Sequence, residues 1–275
     1  METPAITKDE FEKFVPVAKM PDNVIFDRCA KYFDDCFTTI KSFFLGDAVC
    51  DDYNNKPDIF KENVKRLMCV DSFFNRLNTN DITITNTGFG VVSNQNVAPA
   101  SQFRIDSLKE EISNDWDNAI DFLITSLTKI KGWSETEQAQ RNINNLCYKK
   151  STFSLFGSIS HVMSQHEYRV YQFRAMNQNH IIADIISDKY HQELLNDIRS
   201  DQLLDPNDIF IVNRCQAIIC AICMNNGDIR LMKENIIRHL EENINKYPTY
   251  AASKEYAARH VTPYENTSDD PTYIF

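Results

Sequence analysis

The stretch from Ile105 to Ile130 constrains this chain more than any other. Ile105, Leu108, Ile112, Trp116, Ala119, Leu123, Leu127 and Ile130 recur at three- and four-residue steps, the spacing that lines side chains along one face of an α-helix. The period holds for about seven turns. A stripe that long needs covering along its whole length, and the expected cover is a bundle of further helices. Glu110, Glu111, Asp115, Asp117 and Asp121 lie mainly off the stripe, so a solvated face is expected for them. A di-metal bundle would need Glu-x-x-His partners on facing helices, and that set is missing.

Similar periods occur on both sides. Ile25, Cys29, Tyr32, Cys36, Ile40 and Phe43, widened by Phe33, Phe37 and Phe44, predict one helix that stops at Gly46. Phe60, Val64, Leu67, Met68 and Phe74 predict a second, opening near Lys56-Pro57-Asp58. After Gly132, residues 134–148 suggest another. Ile181, Ile182, Ile185, Ile186, Tyr190, Leu194 and Ile198 predict one more. Asp205-Pro206 then gives an acidic N-cap followed by proline at the first helical position, with Ile209, Val212, Ile218, Ile219 and Ile222 on the face. A last helix uses Leu231, Ile237, Leu240 and Ile244. Both halves run helix, loop, helix, helix, and Pro57-Asp58-Ile59-Phe60 parallels Pro206-Asn207-Asp208-Ile209-Phe210. Duplication of a three-helix unit and chance similarity both account for this.

The period changes in one place. Asp81-Ile82-Thr83-Ile84-Thr85 alternates and is β-branched, Asn86-Thr87-Gly88 has turn chemistry, and Phe89-Gly90-Val91-Val92 suits a returning strand. A short β-hairpin is expected over about 81–94. Residues 149–176 show no clear frame and read as a connector or arm. The resulting division is an N-terminal helical domain over 1–148, the connector 149–176, a C-terminal helical unit over 177–247 and an extended tail over 248–275. The fold class is mostly α, a helical bundle with a short hairpin and an extended C-terminal tail.

Composition bears on function by exclusion. A hydrophobic fraction of 43% is enough to bury a core. The net charge of −10 argues against a surface that tracks nucleic-acid phosphates, so no sequence-specific nucleic acid is expected as a partner. With only 6 glycines, the chain has neither G-x-x-x-x-G-K-[ST] nor G-x-G-x-x-G, and no nucleotide cofactor is expected. No apolar run approaches the roughly 20 residues that span a bilayer, and Met1-Glu2-Thr3-Pro4 does not open a signal peptide, so no membrane is expected and the origin reads as cytosolic. The 8 cysteines sit mostly in apolar helical patterns, and Cys220-Ala221-Ile222-Cys223 reads as core packing because no second ligand pair accompanies it. His161, His166, His180 and His191 form no H-E-x-x-H and read as surface or interface side chains. No catalytic, metal or cofactor residue is assigned.

Two segments stand out instead. Phe89, Val91, Val92 and Asn94 belong to a hairpin too apolar for a plain turn. Such a hairpin either tucks onto its own helices or docks on a neighbour through a strand edge. Tyr264, Tyr273, Ile274 and Phe275 belong to an acidic, aromatic tail that either folds back or anchors on a partner.

The stretch Thr87-Gly88-Phe89-Gly90-Val91-Val92 through Asn96-Val97-Ala98-Pro99-Ala100-Ser101, followed by Arg104-Ile105-Asp106-Ser107-Leu108, resembles a family of proteins from phages and prophages of gut Bacteroidales. The tail around Tyr264-Glu265-Asn266 and Tyr273-Ile274-Phe275 is similar to that family's closing pattern. The resemblance covers residues 81–131 and 260–275. Members look like head-to-tail connector or adaptor proteins, including ring proteins of crAss-like phages. It implies a non-enzymatic structural virion protein, made in the host cytoplasm, in a dodecameric ring at the portal vertex. Its partners would be its own copies, the portal protein and neighbouring connector or tail proteins. A ring needs two different patches per subunit, which hairpin and tail would supply. The other readings are a cytosolic enzyme with an unrecognised helical site and a regulatory binding module.

Overall fold

A computed structural model describes residues 2–19, 24–76, 83–85, 88–90, 102–157 and 163–261. The chain is mostly helical, as the periodicity predicts. Its longest element is the helix Gln102–Leu127, 26 residues or about 39 Å. Helix Asp58–Phe74 packs along it, and Leu67, Met68, Ile112, Ala119 and Leu123 are buried in the same hydrophobic core. Polar contacts fix how the two helices sit. Trp116 Nε1 donates to Asp71 Oδ1 at 2.9 Å while its ring stacks on Phe74, and Asn63 Nδ2 donates to the Phe122 carbonyl at 3.3 Å.

The predicted N-terminal helix is broken. Val24–Ala30 and Phe33–Ile40 are separate helices, and Lys41–Leu45 is a π-helical turn that ends at Gly46. The turn winds wider than the α-helical period, so Phe43 leaves the core and is half exposed while Leu45 is buried. Gly46 has φ +75°, which a side chain would strain, and so the helical run stops there.

Residues 149–176 hold two helices, Lys150–Phe156 and Gln165–Met176, in place of an extended connector. Both pack against the long helix and against helix Pro206–Met224. Their sequence hides them because Gln165–Met176 has no one-sided apolar stripe. Phe153 and Tyr168 pack edge to face at 6.0 Å, and Arg174 Nη1 caps the far end of Pro206–Met224 by donating to the Cys223 carbonyl at 2.6 Å. Helix Pro206–Met224 is itself long and apolar enough to cross a membrane by length and composition, which corrects the expectation drawn from run length. In the fold it is partly buried, flanked by Lys150–Phe156, Gln165–Met176 and Ile229–Glu242. The two proline-led helices therefore have different surroundings.

Within the segment expected as a hairpin, Thr83–Thr85 and Gly88–Gly90 pair antiparallel, with Ile84 opposite Phe89. Val91, Val92 and Asn94 lie outside the described residues, as do Tyr264, Tyr273, Ile274, Phe275 and His161.

His191 corrects the surface reading of the histidines. It is 1% exposed, and its Nε2 has no hydrogen-bond partner. Burial lowers its pKa from 6.5 to about 4. Between those values the unfolded chain holds a proton that the folded chain does not. Stability is therefore intact above pH 6.5 and is lost as the pH falls toward 4, by about 3 kcal/mol from this group. His191→Leu should remove that acid-side loss, as read by urea unfolding at pH 7 and pH 4.5. An unchanged pH dependence would contradict the assignment.

Candidate functional site

Two of the five acids expected on a solvated face are buried. Glu110, Glu111 and Asp115 are exposed, but Asp117 is 1% and Asp121 9% exposed. The long helix is covered on two sides. The missed signal is a second apolar row, Ile120 and Ile124, interleaved with the two acids on the side that meets Lys150–Phe156 and Gln165–Met176.

Asp117 sits between two cations. Its Oδ2 is 3.2 Å from Lys150 Nζ, and its Oδ1 is 3.1 Å from Arg169 Nη2. Lys150 is itself buried and also donates to Asn114. Burial raises the pKa of Asp117, and the neighbouring Arg169 and Lys150 oppose that rise. One carboxylate thereby ties the long helix to both helices of the 149–176 segment. Asp121, one turn on, accepts from the Ser151 backbone N–H and hydroxyl, both at 3.3 Å. Burial still dominates and raises its pKa from 3.8 to about 6.

Beside this network lies a cleft of about 300 Å³ between the long helix, the segment around Arg141–Tyr148 and helix Gln165–Met176. Trp116, Tyr148 and Tyr168 line it with aromatic surface, and Arg141, Arg169 and Gln172 with polar groups. Arg169 is stacked over the Trp116 ring at 5.1 Å, which holds its guanidinium flat against the wall. Arg141 lies over the Phe43 ring at 5.8 Å and has no carboxylate partner among the described residues. On Gln165–Met176, residues 169, 172, 173 and 176 share one face by helical spacing. Phe173 on that face is 68% exposed, Met176 47% and Phe43 across the cleft 50%. A larger hollow of about 640 Å³, between residues 2–5 and 50–55, has only acidic charged groups. The smaller cleft joins cations, amides and aromatic rings, as does a second hollow of about 290 Å³ lined by Lys13, Phe14, Arg66, Asn118 and Phe122.

The cysteines do not add chemistry. All eight are buried and free. Cys147 and Cys220 approach to 3.9 Å, and burial raises Cys147 and holds Cys215 and Cys223 up near 12. Thiols so held stay protonated and pack as small apolar groups. Among the described residues no group of three or more His, Cys, Asp or Glu is placed to hold a metal ion. Of the residues expected at protein contacts, Phe89 alone is described, through its backbone pairing; the structure brings none of them to the cleft.

Removing one charge and removing the whole pair should differ. Asp117→Ala leaves buried Lys150 without its counter-ion and is expected to cost about 3–5 kcal/mol in urea unfolding. Asp117→Leu with Lys150→Met should recover most of that loss. A single variant within about 0.5 kcal/mol of the parent, the ordinary size of a surface effect, would contradict the network's role. Asp121 predicts an opposite pH effect to His191. Its folded-state proton is held more tightly, so its contribution is present below pH 3.8 and lost as the pH rises through 6. Asp121→Asn should therefore stabilise the fold by about 2–3 kcal/mol at pH 7 and change little near pH 4.

No curated protein and no solved structure matches the chain. The family of unknown function DUF6712 matches residues 32–143 and 226–260. Phe44, Trp116 and Arg141 on one side of the cleft fall within the match; Tyr148, Tyr168 and Arg169 on the other side fall outside it. Because the match spans just over half of the sequence, the chain belongs to the DUF6712 family.

Proposed function

We propose that this chain is a structural assembly subunit that works by packing against other proteins, including further copies of itself. The observation that carries this reading is the rim of the cleft. Met176 lines the cleft, Phe43 and Phe173 adjoin the lining residues Phe44 and Gln172, and all three expose large apolar surface. Single exposed apolar residues are ordinary, but aromatic and methionine side chains gathered round a pocket with arginine are the composition of protein interfaces. The setting, a dodecameric head-to-tail connector ring at the portal vertex of a tailed phage, rests on the resemblance carried by residues 81–131 and 260–275. The family match adds no function to it.

The enzyme reading has one point in its favour, the carboxyl of Asp121 with a pKa near 6. A general acid must reach a substrate. Asp121 is instead covered, accepts from Ser151 and does not line the cleft.

Light scattering on the purified full chain tests the proposal. A defined oligomer is expected, and Phe173→Glu with Met176→Glu should shift it toward monomer by at least tenfold in concentration, about 1.4 kcal/mol. Both side chains are exposed, so the melting temperature should barely move. A chain that stays monomeric at all concentrations, or an oligomer indifferent to the double variant, would contradict the proposal.

A further inference from the structure

We propose that in the free subunit the cleft is occupied by the chain's own tail, residues 262–275, held by its acidic and aromatic side chains. The inference rests on that reading of the surface and names its occupant in the free subunit, before an adjoining chain displaces it.

Three observations lead to it. The first is chemical complementarity. Residues 262–275 contain Glu265, Asp269 and Asp270, no Lys or Arg, and the large apolar side chains Tyr264, Tyr273, Ile274 and Phe275. The cleft offers Arg141 without a carboxylate partner among the described residues, while its own acid, Asp117, is already held by Lys150 and Arg169. In a chain of net charge −10, a cleft whose lining pairs two arginines with one acid and has aromatic walls is a surface this segment fits.

The second is where the tail leaves the fold. Helix Lys254–Arg259 is fastened by Arg259, whose guanidinium donates to the carbonyls of Asp184 and Ile185. Those carbonyls lie at the end of helix Asn179–Ile186, eight residues and about 12 Å long. The start of that helix touches the cleft wall, because Asn179 Nδ2 donates to the carbonyl of Asn144, a lining residue, at 2.8 Å. The root of the tail is thus about one short helix from the cleft. The third is length. Fourteen residues reach up to about 46–50 Å when extended, several times that separation. A tether of this length gives its own cleft an effective concentration in the millimolar range, which favours it over a neighbour's tail.

Photocrosslinking in the full chain tests this directly. A benzophenone side chain is placed at Tyr273 in a mixture of ¹⁴N- and ¹⁵N-labelled protein, and the crosslinked peptides are identified by mass spectrometry. Crosslinks should join the tail to peptides containing Phe43–Phe44, Arg141–Tyr148 or Arg169–Met176, within chains of one isotope. Arg141→Glu should lower their yield at least fivefold. Asp269→Arg with Asp270→Arg should restore it, which separates lost charge pairing from lost folding. Mixed-isotope crosslinks, crosslinks only to other surfaces, no crosslinks, or a yield indifferent to Arg141→Glu would each overturn the proposal. The protein is held at a concentration at which light scattering shows monomer, so the tail contact and the assembly reading fail separately.

Discussion

The buried carboxylate of Asp117 is the interaction around which this fold is organised. It reaches Lys150 on one short helix and Arg169 on the next, and so joins the family-matched long helix to a segment that the match leaves out. Buried ion pairs add little net stability over apolar residues of the same shape, because both partners lose their water. Their value lies in what they forbid. Asp117 and Lys150 are buried and costly to leave alone, which favours the seating of Lys150–Phe156 that keeps them paired, while the partly exposed Arg169 adds a weaker tie from Gln165–Met176. Hydrophobic packing of Phe153, Tyr168 and Ala175 supplies the general attraction, and Asp117 sets where the helices stop.

That seating produces the cleft. With Gln165–Met176 fixed by Arg169, the same face keeps Phe173 and Met176 exposed rather than in the core. The same guanidinium lies on Trp116, which is anchored in turn to Asp71 on the opposite side of the long helix. Stability, cleft geometry and surface chemistry are therefore coupled through a few side chains. Function on the proposed reading belongs to the surface, where apolar rings stand beside Arg141, which has no carboxylate partner among the described residues.

Much of the architecture is legible in the sequence, because long helices with one apolar stripe declare themselves. Ile112, Ala119, Leu123 and Leu127 fall where the 3.6-residue period puts them, as do Phe60, Val64 and Leu67. The period fails where a helix is covered on two sides or on none. Asp117 and Asp121 look solvated when one stripe is counted, since Ile120 and Ile124 mark the second face only weakly. Gln165–Met176 mixes buried Tyr168 and Ala175 with exposed Phe173, so no stripe forms and the segment reads as an arm. The π turn at Lys41–Leu45 shifts the register by a fraction of a turn and turns out Phe43, a residue the period places inside. The cleft escapes the sequence for the same reason. Its lining comes from three separated stretches, and only the fold brings them together.

A reconstruction of the assembled full chain by electron cryomicroscopy tests the central claim most directly. The account predicts that Phe43, Phe173 and Met176 are sealed beneath an adjoining protein chain, with the subunit's own tail moved out of the cleft. An assembly in which that cleft faces open solvent would contradict it.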